Sequence, residues 1–173
     1  MATKRPPGAL TLSEDDRRVL AAWAADCAER TLPLFEARAP SDARPHDAIA
    51  GARAFARGEK RIGELRTLAA RAHVAARETA DPAAAAAARA AGHAAAVAHM
   101  GAHARGVPAY AAKAAALAAA DEPTAATDEI RWAVDHASPT VRNALRRLPP
   151  PPGAGGILGT LVNDLHRALM HGR

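Results

Sequence analysis

Long runs of alanine constrain the fold of this chain more than any other feature of its sequence. Residues 83–88 are six consecutive alanines, and residues 109–120 read AYAAKAAALAAA. Alanine favours the α-helix more than any other residue, and glycine and proline fall mainly between the periodic runs. The sequence therefore predicts an all-α fold, a compact bundle of about six to seven helices with an added C-terminal amphipathic helix.

The chain divides into four predicted segments. Its 173 residues suffice for one domain with a buried core. We expect a flexible N-terminal tail over residues 1–10 and a helical domain over residues 11–148. The stretch PPPPGAGG, residues 149–156, is typical of a linker that is first stiff and then flexible. Residues 157–173 predict the amphipathic helix, whose apolar stripe comprises Ile157, Leu158, Leu161, Val162, Leu165 and Leu169.

That apolar stripe needs a partner surface. We expect it to pack on the helical domain or on a second subunit, so the sequence leaves a homodimer open.

Capping residues and prolines predict where several helices begin and end. Ser13 stands before three acids, which is typical of a helix start, because the hydroxyl caps the helix and the acids meet its positive end. Pro33 is expected to kink or end this first helix, and Gly58 to close the second. Pro139 interrupts the sixth helical segment.

The stretch GHAAAVAHMGAHARG, residues 92–106, carries three histidines on the helix predicted to start at Asp81. At about 100° per residue, His99 and His103 lie one turn apart on one face of such a helix, with His93 offset from both. This helix alone offers at most two convergent metal ligands, and no CxxC or carboxylate cluster adds another. We therefore expect no metal and no cofactor, and we interpret the histidines as groups that hydrogen-bond within the bundle.

A second polar stripe lies on the third helix, predicted over residues 59–79. Its members follow heptad-like spacing on one face and are Glu59, Arg66, His73 and Arg77. One interpretation is a solvated charged face. The other is that His73 and Arg77 face the histidines of the next helix across a cleft. With Arg77 or Arg89 beside the imidazoles, that surface would suit a small anionic ligand or an acidic partner.

Near the end of the domain, Glu129, Trp132 and His136 share one side of a helix. We interpret Trp132 as a core or interface anchor rather than a stacking platform. The candidate binding residues are therefore Glu59, His73, Arg77, Arg89, His93, His99, His103 and Trp132, and no catalytic residue is proposed among them.

Several classes of function are excluded or not expected. GEKRIGEL, residues 58–65, lacks the Lys and Ser/Thr of a phosphate loop, and GxSxG is absent, which excludes an ATPase or serine hydrolase. The net charge is +5, but acids are interleaved with the arginines, so we do not expect nucleic-acid binding. Cys27 is the single cysteine, and MATKRPPGAL lacks the apolar stretch of a signal peptide. We expect a cytoplasmic protein without a membrane segment.

Four stretches together resemble a known family. They are LSEDDRRVLAAWAADCAERTLPLFE, RPHDAIAGARAFARGE, RTLAARAHVAARE and ARAAGHAAAVAHMGAHARGVPAYAAKA. In this order they are similar to the immunity proteins of bacterial polymorphic toxin systems, specifically the group called immunity protein five-like, common in actinobacteria. The resemblance covers about residues 12–120, and the chain departs from the pattern after that point.

The resemblance implies a small cytosolic helical domain that binds and neutralises a toxin. The positions it carries over are Asp26, Cys27, Arg44, Pro45, Glu59, His73, His93, His99 and His103. It leaves two hypotheses. The first is a binding protein without catalysis, whose partner is a cognate toxin or another protein. The second is a small helical enzyme or ligand-binding protein with a histidine-lined cleft, recruited to specialised metabolism.

Overall fold

A computed structural model describes residues 11–119, 121–153 and 155–171 of the chain. Over these residues the protein is helical throughout and contains no strand, which confirms the all-α prediction. The expected tail over residues 1–10 lies outside the described residues, as do Ala154 and the last two residues. The elements are α1 (Glu14–Glu29), α2 (Leu32–Glu36), α3 (Arg44–Ala56), α4 (Ile62–Glu78), α5 (Pro82–Ala96), a 3-10 helix (Gly101–Arg105), α6 (Gly106–Ala118), α7 (Ala125–Asp135), α8 (Pro139–Arg147) and α9 (Gly156–His171).

Local capping chemistry starts three of these helices. Ser13 accepts the Asp16 N–H at 3.1 Å at the start of α1, and Asp81 accepts the Ala84 N–H at 2.9 Å at the start of α5. Ser138 caps α8 in the same way, directly before a proline in the first turn. Each side-chain oxygen satisfies an N–H that the helix leaves without an internal partner.

The alanine-rich helix α5 lies at the centre of the bundle. Eleven of its fifteen residues are buried, ten of them alanine and the other Gly92. It packs against α1, α2, α3, α4 and α6. Alanine and glycine let neighbouring helices approach closely, and larger residues from those helices, such as Leu20, Phe55 and Leu65, complete the core around it.

The prediction of one continuous helix through residues 92–106 is wrong. α5 ends at Ala96, and Met100 adopts an extended conformation with φ −153° and ψ 107° before the 3-10 helix. Gly101 is held by a backbone hydrogen bond to Thr11 at 3.3 Å. A Cβ at Gly101 would lie 3.0 Å from the Thr11 carbonyl oxygen, so the chain turns where only glycine fits comfortably.

The prediction that the third helix includes Glu59 is also wrong. The left-handed Gly58, with φ 79°, ends α3, and the Glu59 N–H donates back to the Ala54 carbonyl at 2.9 Å. α4 begins only at Ile62. Glu59 therefore belongs to the C-terminal turn of α3, away from the polar stripe of α4.

The C-terminal helix α9 buries its apolar stripe within the same chain. Leu161, Leu165 and Leu169 are buried, and the helix packs on α6 and α7. Ile157, at the start of the stripe, remains 54% exposed. The stripe therefore finds its partner surface without a second subunit.

No described helix combines the length and the apolar character that crossing a lipid bilayer requires.

Candidate functional site

Four imidazoles lie side by side where α4, the end of α5 and the 3-10 helix meet. The rings of His73 and His93 are 5.3 Å apart between centroids, and those of His93 and His103 are 5.0 Å apart. His99, in the turn after α5, continues the series with its ring 5.3 Å from that of His103. We call His73, His93, His103 and His99 the histidine row. Each member is partly exposed, so one edge of the row meets solvent.

Two glycines make room for the row. A Cβ on Gly92 would lie 2.7 Å from Cε1 of His73, and one on Gly106 would lie 3.1 Å from Nδ1 of His93. The imidazole of His73 therefore rests directly on the backbone of α5. A cleft between α4 and α5 was one alternative predicted from sequence, but at His73 the two helices meet in a packed seam.

A direct hydrogen bond joins the middle of the row. Nδ1 of His93 and Nδ1 of His103 are 3.1 Å apart. Such a bond needs a hydrogen on one of the two atoms and a lone pair on the other. The two neutral imidazoles must therefore adopt opposite tautomers, so the row is a connected polar unit.

The surroundings keep the row uncharged at neutral pH. Burial lowers the pKa of His93 to about 3, and His103, His73 and Arg89 add to the effect. Burial, followed by His99 and His73, lowers the pKa of His103 to about 4. No acid stands among these causes, so nothing offsets the cost of a buried positive charge.

The outer members of the row lie near arginines. Burial, then Arg89 and Arg77, lowers the pKa of His73. Burial, then Arg66 and Arg17, lowers the pKa of His99. The structure thus brings Arg77 and Arg89 to one end of the row. Arg66, a member of the predicted polar stripe but not one of the binding candidates, lies towards the other end.

One contact of the row was missed from sequence. The single tyrosine, Tyr110, packs on His93 with ring centroids 5.0 Å apart. Tyr110 follows Gly106 by four residues on α6, so both face the seam that His93 enters. That pairing of a glycine and an aromatic one turn apart was the available signal. Lys113 follows Tyr110 by three residues on the same side of α6.

We define the histidine face as the row together with its flanking side chains. These are Tyr110, Arg66, Arg77, Arg89 and Lys113.

Two sequence candidates lie apart from the histidine face. Glu59 forms an ion pair with Arg57 at 2.6 Å on the exposed end of α3. Trp132 lies on α7 and is stacked on His136, with ring centroids 3.9 Å apart and an interplanar angle of 17°. The guanidinium of Arg30 lies 4.4 Å from the Trp132 ring centroid.

Both faces of the Trp132 indole are therefore covered, because a ring stacked at 3.9 Å and a guanidinium at 4.4 Å cannot share one side. Glu129 accepts two hydrogen bonds from Arg30, at 2.7 and 2.9 Å, and fixes the arginine in place. This arrangement leaves no free indole face for a nucleobase to stack on.

Across the described residues, no group of three or more histidine, cysteine or acidic side chains is placed to hold a metal ion. The row itself contributes nitrogen atoms without a carboxylate or thiolate.

The remaining positions carried over by the resemblance take part in ion pairs or lie buried in the fold. Asp26 pairs with Arg53 at 2.9 Å, and Arg44 pairs with Asp42 at 2.6 Å. Cys27 is buried, which raises the pKa of its thiol, so the reactive thiolate is disfavoured. Pro45 is buried in the first turn of α3.

Comparison with known proteins agrees with the family pattern. No curated protein and no solved structure matches the chain. A family model described as "Imm-5 like putative immunity protein" matches residues 10–140, which include all four members of the histidine row. The match ends before α9 and the proline-rich segment that precedes it. The chain belongs to the Imm-5 like immunity protein family.

Proposed function

We propose that this chain is an immunity protein that neutralises a toxin of a bacterial polymorphic toxin system by binding it, without catalysis, in the cytoplasm. The contact surface is the histidine face. Family membership supports the immunity role, and the packing of the four imidazoles supports the choice of surface.

The observation that carries the proposal is the packed seam with an exposed edge. Rings from three elements are fixed against glycine backbone and against each other, yet each remains partly exposed. A catalytic site needs a concave pocket in which polar groups converge on a substrate. Here the imidazoles fill the space between the helices themselves, which favours recognition by surface contact over the alternative of an enzyme.

Neutral imidazoles suit a protein contact for a second reason. The inner pair, His93 and His103, is uncharged, so covering it in an interface does not require desolvating a charge. With Tyr110 beside them, they offer the mixture of aromatic and polar surface that is common at interface centres.

The test is co-expression with a candidate cognate toxin, chosen from the genes that neighbour the gene for this chain. The bulky variant Ala70→Trp adds volume at the histidine face, because Ala70 is exposed on α4 between Arg66 and His73. Ala50→Trp is the matched control, an exposed alanine on α3. We expect the wild-type chain and Ala50→Trp to restore growth, and Ala70→Trp to fail although it folds.

Growth inhibition that the wild-type chain does not relieve would refute the immunity role. Equal protection by both tryptophan variants would instead refute the histidine face as the contact surface.

A further inference from the structure

The arginines of the histidine face differ from most of those elsewhere on the described surface. Ion pairs to acids engage Arg18, Arg30, Arg38, Arg44, Arg53, Arg57, Arg61, Arg131, Arg147 and Arg167. Backbone carbonyls accept hydrogen bonds from Arg17, Arg105 and Arg142. Most of the basic surface is thus neutralised or occupied within the chain.

Five described arginines form neither kind of contact with a described residue. Arg66, Arg77 and Arg89 flank the histidine row. The other two, Arg71 and Arg146, lie elsewhere on α4 and α8. Along α4, Arg66, His73 and Arg77 fall on one stripe, spaced by seven and four residues. Arg89 lies one turn before His93 on α5, and Lys113 one turn after Tyr110 on α6. The face therefore concentrates positive charge that no acid of the described chain compensates.

Resting on the function proposed above, we propose that the partner presents a carboxylate-rich segment to the histidine face, and that binding draws protons onto the imidazoles. Arg77 and Arg89 hold the carboxylates, since a guanidinium donates two parallel hydrogen bonds to a carboxylate. The half-buried imidazoles of His73 and His99, at the two ends of the row, accept the protons.

Proton uptake follows from the surroundings of the row. In the free protein His73 faces Arg77 of its own helix, Arg89 and His93 of α5, and His103 of the 3-10 helix. His99 faces Arg66 of α4, Arg17 of α1 and His103. Each of these neighbours is positive or neutral. An incoming carboxylate is the first negative charge at the row, so it favours the protonated imidazoles and links affinity to pH.

A synthetic hexaglutamate peptide is a suitable probe, because its side chains stay largely ionised above about pH 5.5. Isothermal titration calorimetry at low salt would measure its affinity for the full chain at pH 7.5 and pH 6.0. We expect binding to tighten about fivefold over that interval, with a heat that depends on the ionisation enthalpy of the buffer.

A charge-matched pair of variants separates the histidine face from general electrostatics. Arg77→Gln with Arg89→Gln removes two charges from the face. Arg131→Gln with Arg167→Gln removes two charges from α7 and α9, where both arginines are exposed and paired to nearby acids. We expect at least a tenfold loss of peptide affinity for the first double variant and less than twofold for the second.

Histidine substitution tests the proton uptake. In His73→Gln we expect the affinity difference between pH 7.5 and pH 6.0 to shrink, whereas His46→Gln, an exposed histidine on α3, should retain it. Nuclear magnetic resonance of the His73 Cε1–H signal should show its pKa rising when the peptide is added.

Equal losses in the two arginine variants would overturn the proposal, as would affinity that does not change with pH. Tighter binding of a single-stranded oligonucleotide than of hexaglutamate would overturn the assignment to carboxylates. Peptide binding that behaves as expected, in a chain that fails to protect against the toxin, would leave this chemistry standing and remove the immunity role.

Discussion

Gly92 positions the His73 imidazole by having no side chain of its own. The His73 ring occupies the volume that a Cβ at Gly92 would need, with Cε1, Nδ1 and Nε2 all 2.7 to 2.9 Å from that position. Real Cβ atoms do not approach ring atoms so closely, so a larger residue must displace the imidazole. The geometry of the histidine row thus depends on a residue that cannot contact a partner.

We predict that Gly92→Ala lowers the free energy of unfolding by about 1–3 kcal/mol and moves His73. Gly63→Ala is the matched control, because Gly63 lies in the first turn of α4 and a Cβ there meets nothing within 4 Å. The control should leave stability unchanged or raise it by up to about 1 kcal/mol. Urea denaturation of the two variants measures both, and equal effects would show that the contact with His73 is unimportant.

The neutral pair His93 and His103 makes stability depend on pH. Their folded pKa values of about 3 and about 4 lie below the ordinary histidine value of 6.5. Below about pH 6.5 the unfolded chain therefore binds protons at these two histidines that the folded state does not bind. The contribution is complete above about pH 6.5 and is lost as the pH falls towards the folded values.

Between pH 7 and pH 5.5 we predict a loss of about 1 kcal/mol for each of these two imidazoles. Paired carboxylates such as Glu29 have lowered pKa values and act at more acidic pH, so this interval isolates the histidines. Denaturation of His93→Gln should show a shallower pH dependence than the wild type, and the exposed His46→Gln should not. A slope unchanged in His93→Gln would contradict the assignment.

Among the elements, those defined by local chemistry were predictable from sequence and those defined by distant contacts were not. Ser13 and Asp81 reveal their helices because the cap and the N–H it binds are three residues apart. The end of α5 depends instead on the hydrogen bond between Gly101 and Thr11, which lies ninety positions earlier in the chain. The sequence of residues 92–106 contains no signal that predicts this contact. Helical periodicity alone therefore placed His99 and His103 on a helix that stops before both.

The clustering of the histidines from different helices could still be predicted in part from sequence. Heptad-like spacing put His73 and Arg77 on one face of α4, and that face does adjoin His93. Tyr110 escaped prediction because its contact requires the register of α6 against α5, which a single sequence does not specify. Whether these residues bind a partner remains a prediction.

Arg105 connects the start of α6 with the end of α8, two elements that lie far apart in the sequence. It is buried, with 6% of its surface exposed, and donates hydrogen bonds to the carbonyls of Leu145, Leu148 and Pro149 at the end of α8. The Leu145 carbonyl also accepts the Leu148 N–H, whereas the carbonyls of Leu148 and Pro149 lie just past the last helical residue, at the negative end of the helix dipole. The guanidinium therefore holds the proline-rich segment against the start of α6.

We predict that Arg105→Met destabilises the protein by about 2–4 kcal/mol, because it leaves buried carbonyls without donors. Arg146→Met is a suitable comparison, since Arg146 is exposed near the same helix end and should change stability by less than about 0.5 kcal/mol. Thermal unfolding followed by circular dichroism gives both values. Similar melting temperatures for the two variants would refute the role given to Arg105.

At the scale of the whole molecule, the C-terminal helix is part of the bundle although it lies beyond the family match. α9 contributes three fully or largely buried leucines and covers α6 and α7. Its removal would expose that apolar surface to water. The expected flexible linker does not prevent this docking, and the division of the chain into separate segments remains a prediction.

We predict that deleting residues 155–173 lowers the free energy of unfolding by at least about 3 kcal/mol and promotes self-association. Ile157→Ser changes the same helix at a residue that is 54% exposed and should have little effect. Sedimentation velocity and urea denaturation together measure the two properties. A truncated chain that stays monomeric with an unchanged midpoint would show that α9 is dispensable.

The alanine-built helix α5 has a consequence for how specificity can evolve. Because α4 rests on the backbone of α5 at Gly92, an enlarged residue at that position would shift the His73 ring. The imidazoles should therefore tolerate little substitution among relatives that bind different partners. Arg66 and Arg77 carry no such restriction, since both are exposed and no described residue pairs with them. A change of partner would then proceed by exchanging these exposed residues around an unchanged row of histidines.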